Sequence, residues 1–138
     1  MKIPEEIFVD SSAWIALVNS RDAHHKAAAS AYPGILKNHK RLTTSNLVIA
    51  ETFVVLLKGS GHSVAVEFLK RVRASPRIAK VWSSENIEIE AEQVLAKFSD
   101  QAFSYTDAVS FVIMKKRDIK KAFGFDRHFA AAGFMNLP

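Results

Sequence analysis

The sequence predicts an α/β protein, a three-layer α/β/α sandwich built around a central, mainly parallel sheet. Short β-prone runs at Ile7-Phe8-Val9, Arg41-Leu42-Thr43-Thr44, Ile78-Ala79-Lys80-Val81-Trp82 and Ala122-Phe123-Gly124-Phe125 alternate with longer stretches of helical spacing, the order that builds parallel strands with covering helices. The first run is apolar at three successive residues and does not alternate, as expected of a strand covered on both faces. The length of 138 residues and hydrophobic content of 49% suit one domain, residues 1–138, with one sizeable core.

The opening strand runs straight into Asp10. Ser11 or Ser12 is a candidate N-cap for a helix whose apolar face includes Trp14, Ile15 and Val18. Asn19-Ser20-Arg21-Asp22 reads as a turn with Asp22 as cap, followed by a helix over Ala23 to Ala31 that Pro33-Gly34 is expected to kink or interrupt before Ile35. Ser45 or Asn46 caps the next predicted helix, Leu47 to about Lys58, which Gly59-Ser60-Gly61 stops. A helix over His62 to Ala74 carries Ala65, Phe68, Leu69 and Val72 on one face, and Pro76 marks its exit. Ser83-Ser84 opens a helix through Phe98, on which Ile87, Ala91, Val94, Leu95 and Phe98 keep helical spacing. Residues 99–103 read as a loop. Ser104 opens a helix to about Arg117, with Val109, Val112 and Ile113 inward, and a short helix over Arg127 to Ala132 precedes a last edge strand at Phe134 to Leu137. Trp14, Trp82 and most of the ten Phe residues fall in apolar segments and are expected in the core.

Several classes of protein are disfavoured. There is no cysteine, so disulfides and thiolate zinc sites are unavailable. The first six residues lack an apolar signal core. No run approaches the roughly 20 apolar residues of a membrane span, and the longest candidate, Leu47 to Leu57, contains Glu51. A cytoplasmic protein is expected. The balance of 19 Lys+Arg against 14 Asp+Glu, net +5, with a sequence pI near 9.6, favours polyanionic partners. Lys70-Arg71-Arg73-Arg77-Lys80 and Lys115-Lys116-Arg117-Lys120-Lys121 are candidate steering clusters for nucleic acid, although solvated helix faces explain them about as well.

Four acids stand out. Asp10 falls at the carboxyl end of the first strand, where open α/β sheets build their sites. Glu51 interrupts a helix that is apolar nearly all round and therefore reads as buried; a Glu there requires a partner or a cation, unless it faces solvent or pairs with an Arg. Asp107, in Ser104-Tyr105-Thr106-Asp107, also fits a capping box, and Asp126 also fits an N-cap. Asp10, Asp107 and Asp126 share a position, since each lies where a strand ends or a helix begins, which in a parallel sheet is one edge. Carboxylates crowded there repel unless a cation neutralises them. Oxygen ligands without Cys suit a hard ion, Mg²⁺ or Mn²⁺. His24-His25 is a poor metal pair, because adjacent helical residues point apart; surface or substrate-side positions are expected for both. Arg127 and His128 beside Asp126 are candidate phosphate contacts, with solvated surface as the plainer reading.

Phe-Val-Asp-Ser-Ser-Ala-Trp-Ile-Ala-Leu at 8–17, Asn-Leu-Val-Ile-Ala-Glu-Thr at 46–52, Ser-Tyr-Thr-Asp-Ala-Val-Ser-Phe at 104–111 and Phe-Gly-Phe-Asp-Arg-His-Phe at 123–129 together resemble a PIN domain, most closely the VapC-type toxins of prokaryotic toxin–antitoxin (VapBC) pairs. The resemblance covers essentially the whole chain. It implies a Mg²⁺- or Mn²⁺-dependent endoribonuclease whose catalytic acids are Asp10, Glu51, Asp107 and Asp126, with Asp10 and Asp107 as principal metal ligands and Asp126 and Glu51 completing the pocket. Ser12 and Ser104 fall at the small polar positions beside the first and third acids. One departure is Gly124, where members frequently carry Thr or Ser. The implied partners are RNA, a small antitoxin that blocks the pocket, and a second copy in a homodimer, with apolar surface from the 47–57 helix available to either protein.

Two unrelated phosphate-handling folds are disfavoured by single positions. A haloacid-dehalogenase-type phosphotransferase wants a second Asp two residues after Asp10, where Ser12 stands, and a receiver-like domain wants an Asp after the third strand, where Trp82-Ser83-Ser84 offers none. The remaining alternative is a catalytically weak PIN-fold protein or RNA interaction module, which the intact acid set argues against.

Overall fold

A computed structural model describes residues 6–138, so the reading of the extreme N-terminus falls largely outside the described residues. β1 (Glu6–Val9) lies at the centre of a five-stranded sheet, with Ile7, Phe8 and Val9 wholly buried. β2 (Arg41–Ser45) and β3 (Ile78–Val81) extend the sheet on one side, and β4 (Lys121–Phe123) and β5 (Met135–Leu137) on the other. The order is β3-β2-β1-β4-β5 and every pairing is parallel. Strand order therefore reverses at β1, and the crevice beyond the carboxyl ends of β1 and β4 is the topological switch point where such sheets place ligands.

The helices follow from that order. α1 (Ser11–Val18), α2 (His25–Asn38), α3 (Asn46–Ser60) and α4 (His62–Ala74) lie on the connections that step outward from β1 to β3. α5 (Glu85–Lys97) and α6 (Tyr105–Lys116) lie on the long return to β4, and α7 (His128–Ala131) on the step to β5. Right-handed crossovers put helices on opposite faces when the direction of travel reverses. Accordingly α1 packs on α2 and α3, and α3 on α4, while α6 packs on α5 and α7. The predicted sandwich is present. Among the described residues no helix is long and apolar enough to cross a membrane.

Local chemistry departs from expectation at several points. The cap of α1 is Asp10 itself, whose carboxylate accepts from the Ser12 backbone N–H at 3.4 Å, rather than Ser11 or Ser12. α2 begins at His25, after Asp22 Oδ1 accepts from the His24 N–H, and passes through Pro33-Gly34 unbroken. Both residues are exposed, where water can replace the hydrogen bond that a proline forfeits. Gly59 and Ser60 stay helical, and α3 stops at Gly61, whose φ of 97° is costly for any residue with a Cβ. Ser45, Ser84 and Ser104 cap α3, α5 and α6.

The largest corrections concern burial. α3 is not buried all round: Val48, Ile49, Thr52 and Leu56 face the core, while Glu51, Val54, Val55 and Leu57 are exposed. An apolar composition cannot tell a buried helix from one that spends apolar residues on an outer face. Val18, Leu69 and Phe98 are likewise exposed. Trp82 is 63% exposed, just beyond the end of edge strand β3, with the Lys80 ammonium 4.6 Å from its ring centroid. Trp14 is in the core, edge-on to Phe68 at 5.9 Å.

Candidate metal centre and active site

Asp10 is the best-buried acid of the site at 3% exposure, a consequence of lying at the end of the central strand with its backbone N–H bonded to Phe123 O at 3.0 Å. Its Oδ2 accepts from the Ser12 hydroxyl at 2.9 Å, and that hydroxyl oxygen accepts from the Phe125 N–H at 2.9 Å. Burial pushes the Asp10 carboxyl up to about 6; the nearby Asp107 charge adds to the rise, and hydrogen bonds from Ser12 and the Ser11 backbone oppose it. The carboxylate is thus held in place by neutral donors that only partly offset its desolvation. A divalent cation would stabilise the ionised form.

Gly124 explains how two strand ends come so close. A Cβ built there would lie 3.0 Å from Ser12 Oγ and 3.1 Å from Asp10 Cβ. The departure from the family pattern is therefore matched by Ser12: its hydroxyl occupies the space that a side chain at 124 would need, and it bonds both strand ends.

Asp107 enters from the first turn of α6 and is 6% exposed. The capping-box geometry is present, with Ser104 Oγ accepting from the Asp107 N–H and Asp107 Oδ2 accepting from the Ser104 N–H, each at 3.0 Å. Oδ2 also lies 2.7 Å from His128 Nδ1. The same nitrogen is 3.3 Å from Asp126 Oδ1, and Asp126 Oδ1 accepts from the His128 backbone N–H at 2.9 Å. Ligand atoms of Asp107, Asp126 and His128 all fall within 4.8 Å of one another. Nδ1 stands between the two carboxylates, and the tautomer with its proton on Nδ1 donates to Asp107. Phe103 stands edge-on to the imidazole at 5.4 Å and fixes the ring plane.

Glu51 is neither buried nor inside that cluster. It stands exposed on α3, with Oε1 accepting from the Ser11 hydroxyl at 2.8 Å, so α1 joins it to the residue beside Asp10. Arg127 is exposed and lines a cavity of about 720 Å³ that also borders Ser12, Asp126 and His128. His128 is the residue that sequence reasoning placed too far out. The signal was its spacing: an Asp accepting from the N–H two residues on forms a tight Asx turn, which folds the imidazole back over its own carboxylate.

The basic clusters divide. Arg77 donates to the carbonyls of Leu36, His39 and Lys40 at 2.6, 2.6 and 3.0 Å, so it closes the end of α2 instead of facing solvent freely. Lys116, Arg117 and Lys120 pair with Glu90, Glu6 and Asp118. His24 and His25 diverge as expected: His25 Nδ1 is 2.7 Å from Ala16 O, and the His24 ring stacks on Phe125.

The donor set fits a divalent ion of the Mg²⁺ or Mn²⁺ kind, being carboxylate oxygens with one imidazole and no thiolate. The fold and the sequence are shared with known proteins. The PIN domain family profile matches residues 7–135. The 23S rRNA-specific endonuclease VapC20 of Mycobacterium tuberculosis is 36% identical over 135 residues, covering 95% of this chain and 97% of that protein. The crystal structure of that sarcin-ricin loop cleaving toxin superposes with a TM-score of 0.87 at 34% identity, covering 94% of this chain and 96% of the other. VapBC2 from Rickettsia felis, solved bound to a promoter DNA fragment, shares the fold at a TM-score of 0.71 and 10% identity, over 96% and 99% of the two chains. With a profile match over nearly its full length and a near-complete relative at this identity, the chain belongs to the PIN-domain family, among its VapC-type members.

Proposed function

We propose that this protein is a divalent-metal-dependent endoribonuclease that hydrolyses RNA phosphodiester bonds, acting as the toxin of a VapBC-type toxin–antitoxin pair. The observation that carries the reading is the meeting of Asp107, Asp126 and His128 within 4.8 Å at the sheet edge where Asp10, buried and raised to about 6, interacts with Asp107. Asp10, Asp107 and Asp126 would hold the ion, Mg²⁺ or Mn²⁺. When bound, such an ion activates and positions the attacking water and offsets phosphate charge.

The chain's own groups have separate tasks. Ser12 orients the Asp10 carboxylate through its hydroxyl and ties it to the β4 end. Ser104 fixes Asp107 by the reciprocal capping bonds. His128 presents its Nδ1 proton between Asp107 and Asp126 and separates their charges. Glu51, exposed on α3 and oriented by Ser11, adds negative charge beside the start of α1. Arg127 supplies a cation beside the acids for the substrate backbone. No side chain serves as covalent nucleophile.

The activity named for the 36% identical relative makes 23S rRNA the first substrate to test. A small antitoxin and a second copy of the chain are the proposed protein partners, with the exposed Val54, Val55 and Leu57 of α3 as available apolar surface, and the cytoplasm is the proposed location. The test is cleavage of rRNA by the purified chain with Mg²⁺ or Mn²⁺ and with EDTA, followed by sequencing of the RNA ends. Discrete cuts that need the ion and vanish in Asp10→Asn and Asp107→Asn are expected. RNA left intact by the wild-type chain would move the assignment to an RNA interaction module, and cuts made equally by both variants would overturn the assignment of these acids.

A further inference from the structure

The cavity beside the acids has an aromatic wall that the metal chemistry does not use. The His24 imidazole and the Phe125 ring lie parallel, with centroids 4.4 Å apart and planes 7° from coincidence. They come from opposite ends of the chain, and both line the cavity of about 720 Å³ bordered by Ser12, Asp126 and Arg127. We propose that the His24–Phe125 stack is a base-stacking subsite, which seats the nucleotide flanking the phosphate to be cut.

Three features support this. First, His24 is exposed while Phe125 is half-buried, so the pair is a ring backed by a second ring, a platform that costs little to order when a base arrives. Base–aromatic stacking on such platforms is tolerant of sequence and contributes substantially to single-strand binding. Second, the platform is fixed relative to the acids. The Phe125 N–H donates to Ser12 Oγ, which donates to Asp10 Oδ2, each at 2.9 Å, so only one hydroxyl separates the stacked ring's backbone from the buried carboxylate. On the other side, the His24 N–H is held by Asp22 Oδ1 at 2.9 Å, and the neighbouring His25 ring is held by Ala16 O at 2.7 Å. Third, Arg127 borders the same cavity, placing a cation for the backbone beside a flat surface for the base, the combination single-stranded nucleic acid requires. The cavity is large enough for a nucleotide and lies within the usual range for ligand sites.

The inference rests on the ribonuclease reading, and its test separates the two. A fluorescein-labelled single-stranded RNA is titrated with the full chain in EDTA at low salt, where the net charge of +5 favours binding and turnover does not interfere. His24→Ala is expected to weaken binding about tenfold, the order of one lost base–aromatic stack, with an unchanged melting temperature. His24→Phe is expected to stay within about twofold of wild type, since it keeps the ring. One abasic nucleotide, at the position that stacks, is expected to reproduce the loss in the wild-type chain and to add nothing in His24→Ala. Undetectable RNA binding, equal affinity of His24→Ala and wild type, a His24→Phe chain as weak as His24→Ala, or abasic and His24→Ala penalties that simply add would each overturn the subsite. Cleavage with Mg²⁺ is scored alongside. Cutting without the His24 pattern removes the subsite and leaves the nuclease; the His24 pattern without cutting leaves an RNA-stacking surface and removes the nuclease.

Discussion

Asp10 and the Asp107–Asp126 pair hold carboxylates at the same sheet edge by opposite means. Asp10 is enclosed by the central strand and supported by uncharged donors, the Ser12 hydroxyl and backbone, so its carboxyl rises to about 6. Asp107 and Asp126 have the His128 Nδ1 between them, at 2.7 and 3.3 Å. One half of the site holds its geometry at a cost in desolvation; the other sets an imidazole nitrogen between its carboxylates, a place that a metal ion can take. The difference implies that the halves depend unequally on a cation, and that substitutions will separate stability from activity in the first half more than in the second.

Removing charge should produce the largest effect. Asp107→Asn and Asp10→Asn are each expected to lower RNA cleavage by about 100-fold or more, because an ion held by fewer carboxylates loses both affinity and position; rates under saturating Mg²⁺ and Mn²⁺ measure it. Gly124→Thr should come next. Its Cβ would meet Ser12 Oγ at 3.0 Å and Asp10 Cβ at 3.1 Å, so β1 and β4 must part or Ser12 must turn away from Asp10. A loss of about 1–3 kcal/mol in denaturant unfolding and a clear fall in activity are expected, and the second change Ser12→Ala in the Gly124→Thr chain should restore much of the stability by opening the space.

The same comparison fixes a pH dependence. A carboxyl raised from 3.8 unfolded to about 6 folded binds more protons in the native state, so stability falls as pH rises from about 4 to about 6 and is lowest, for this group, above 6. In EDTA, Asp10→Asn is therefore expected to stabilise the fold at pH 7 by about 2–3 kcal/mol, with the gain vanishing below pH 4, where the carboxyl is protonated in both states. Equal stability of the two chains at both pH values would show that Asp10 carries no desolvation cost. The smallest effect is expected at Glu51, which is exposed and has one hydrogen bond from Ser11. Glu51→Gln should lower cleavage only a few-fold, since screened surface charges contribute little, and parallel rates at low and high salt would reveal that screening.

The layout of the site was legible because its acids sit at punctuation points. Asp10 ends a non-alternating apolar run, Asp107 sits in the first turn of α6, and Asp126 lies just before α7, whose N-cap is Arg127 and not Asp126 as the sequence suggests, so a parallel sheet gathers them near one edge. Burial on the outer layer was not legible in the same way. α3 places Val54, Val55 and Leu57 outward, and an exposed Trp82 follows β3, because one chain's composition does not reveal which apolar faces remain uncovered. His128 escaped for a different reason. Its role depends on a short Asx turn and on a residue 21 positions upstream, and periodicity carries no information about either. Gly124 departs from the family pattern in sequence alone, and the Ser12 hydroxyl that fills the space it leaves is a tertiary contact that no local pattern encodes.

The most direct test of a joined site is a titration of melting temperature with Mn²⁺ for the wild-type chain, Asp10→Asn and Asp107→Asn. Ligand that binds only the folded state raises stability with its concentration. If the two halves hold one ion together, the wild-type chain shows a saturating rise and both variants require roughly tenfold or more Mn²⁺ to match it. An Asp10→Asn chain that titrates like wild type would contradict the account, leaving Asp107, Asp126 and His128 as a complete metal site and Asp10 as a helix cap at the end of the central strand.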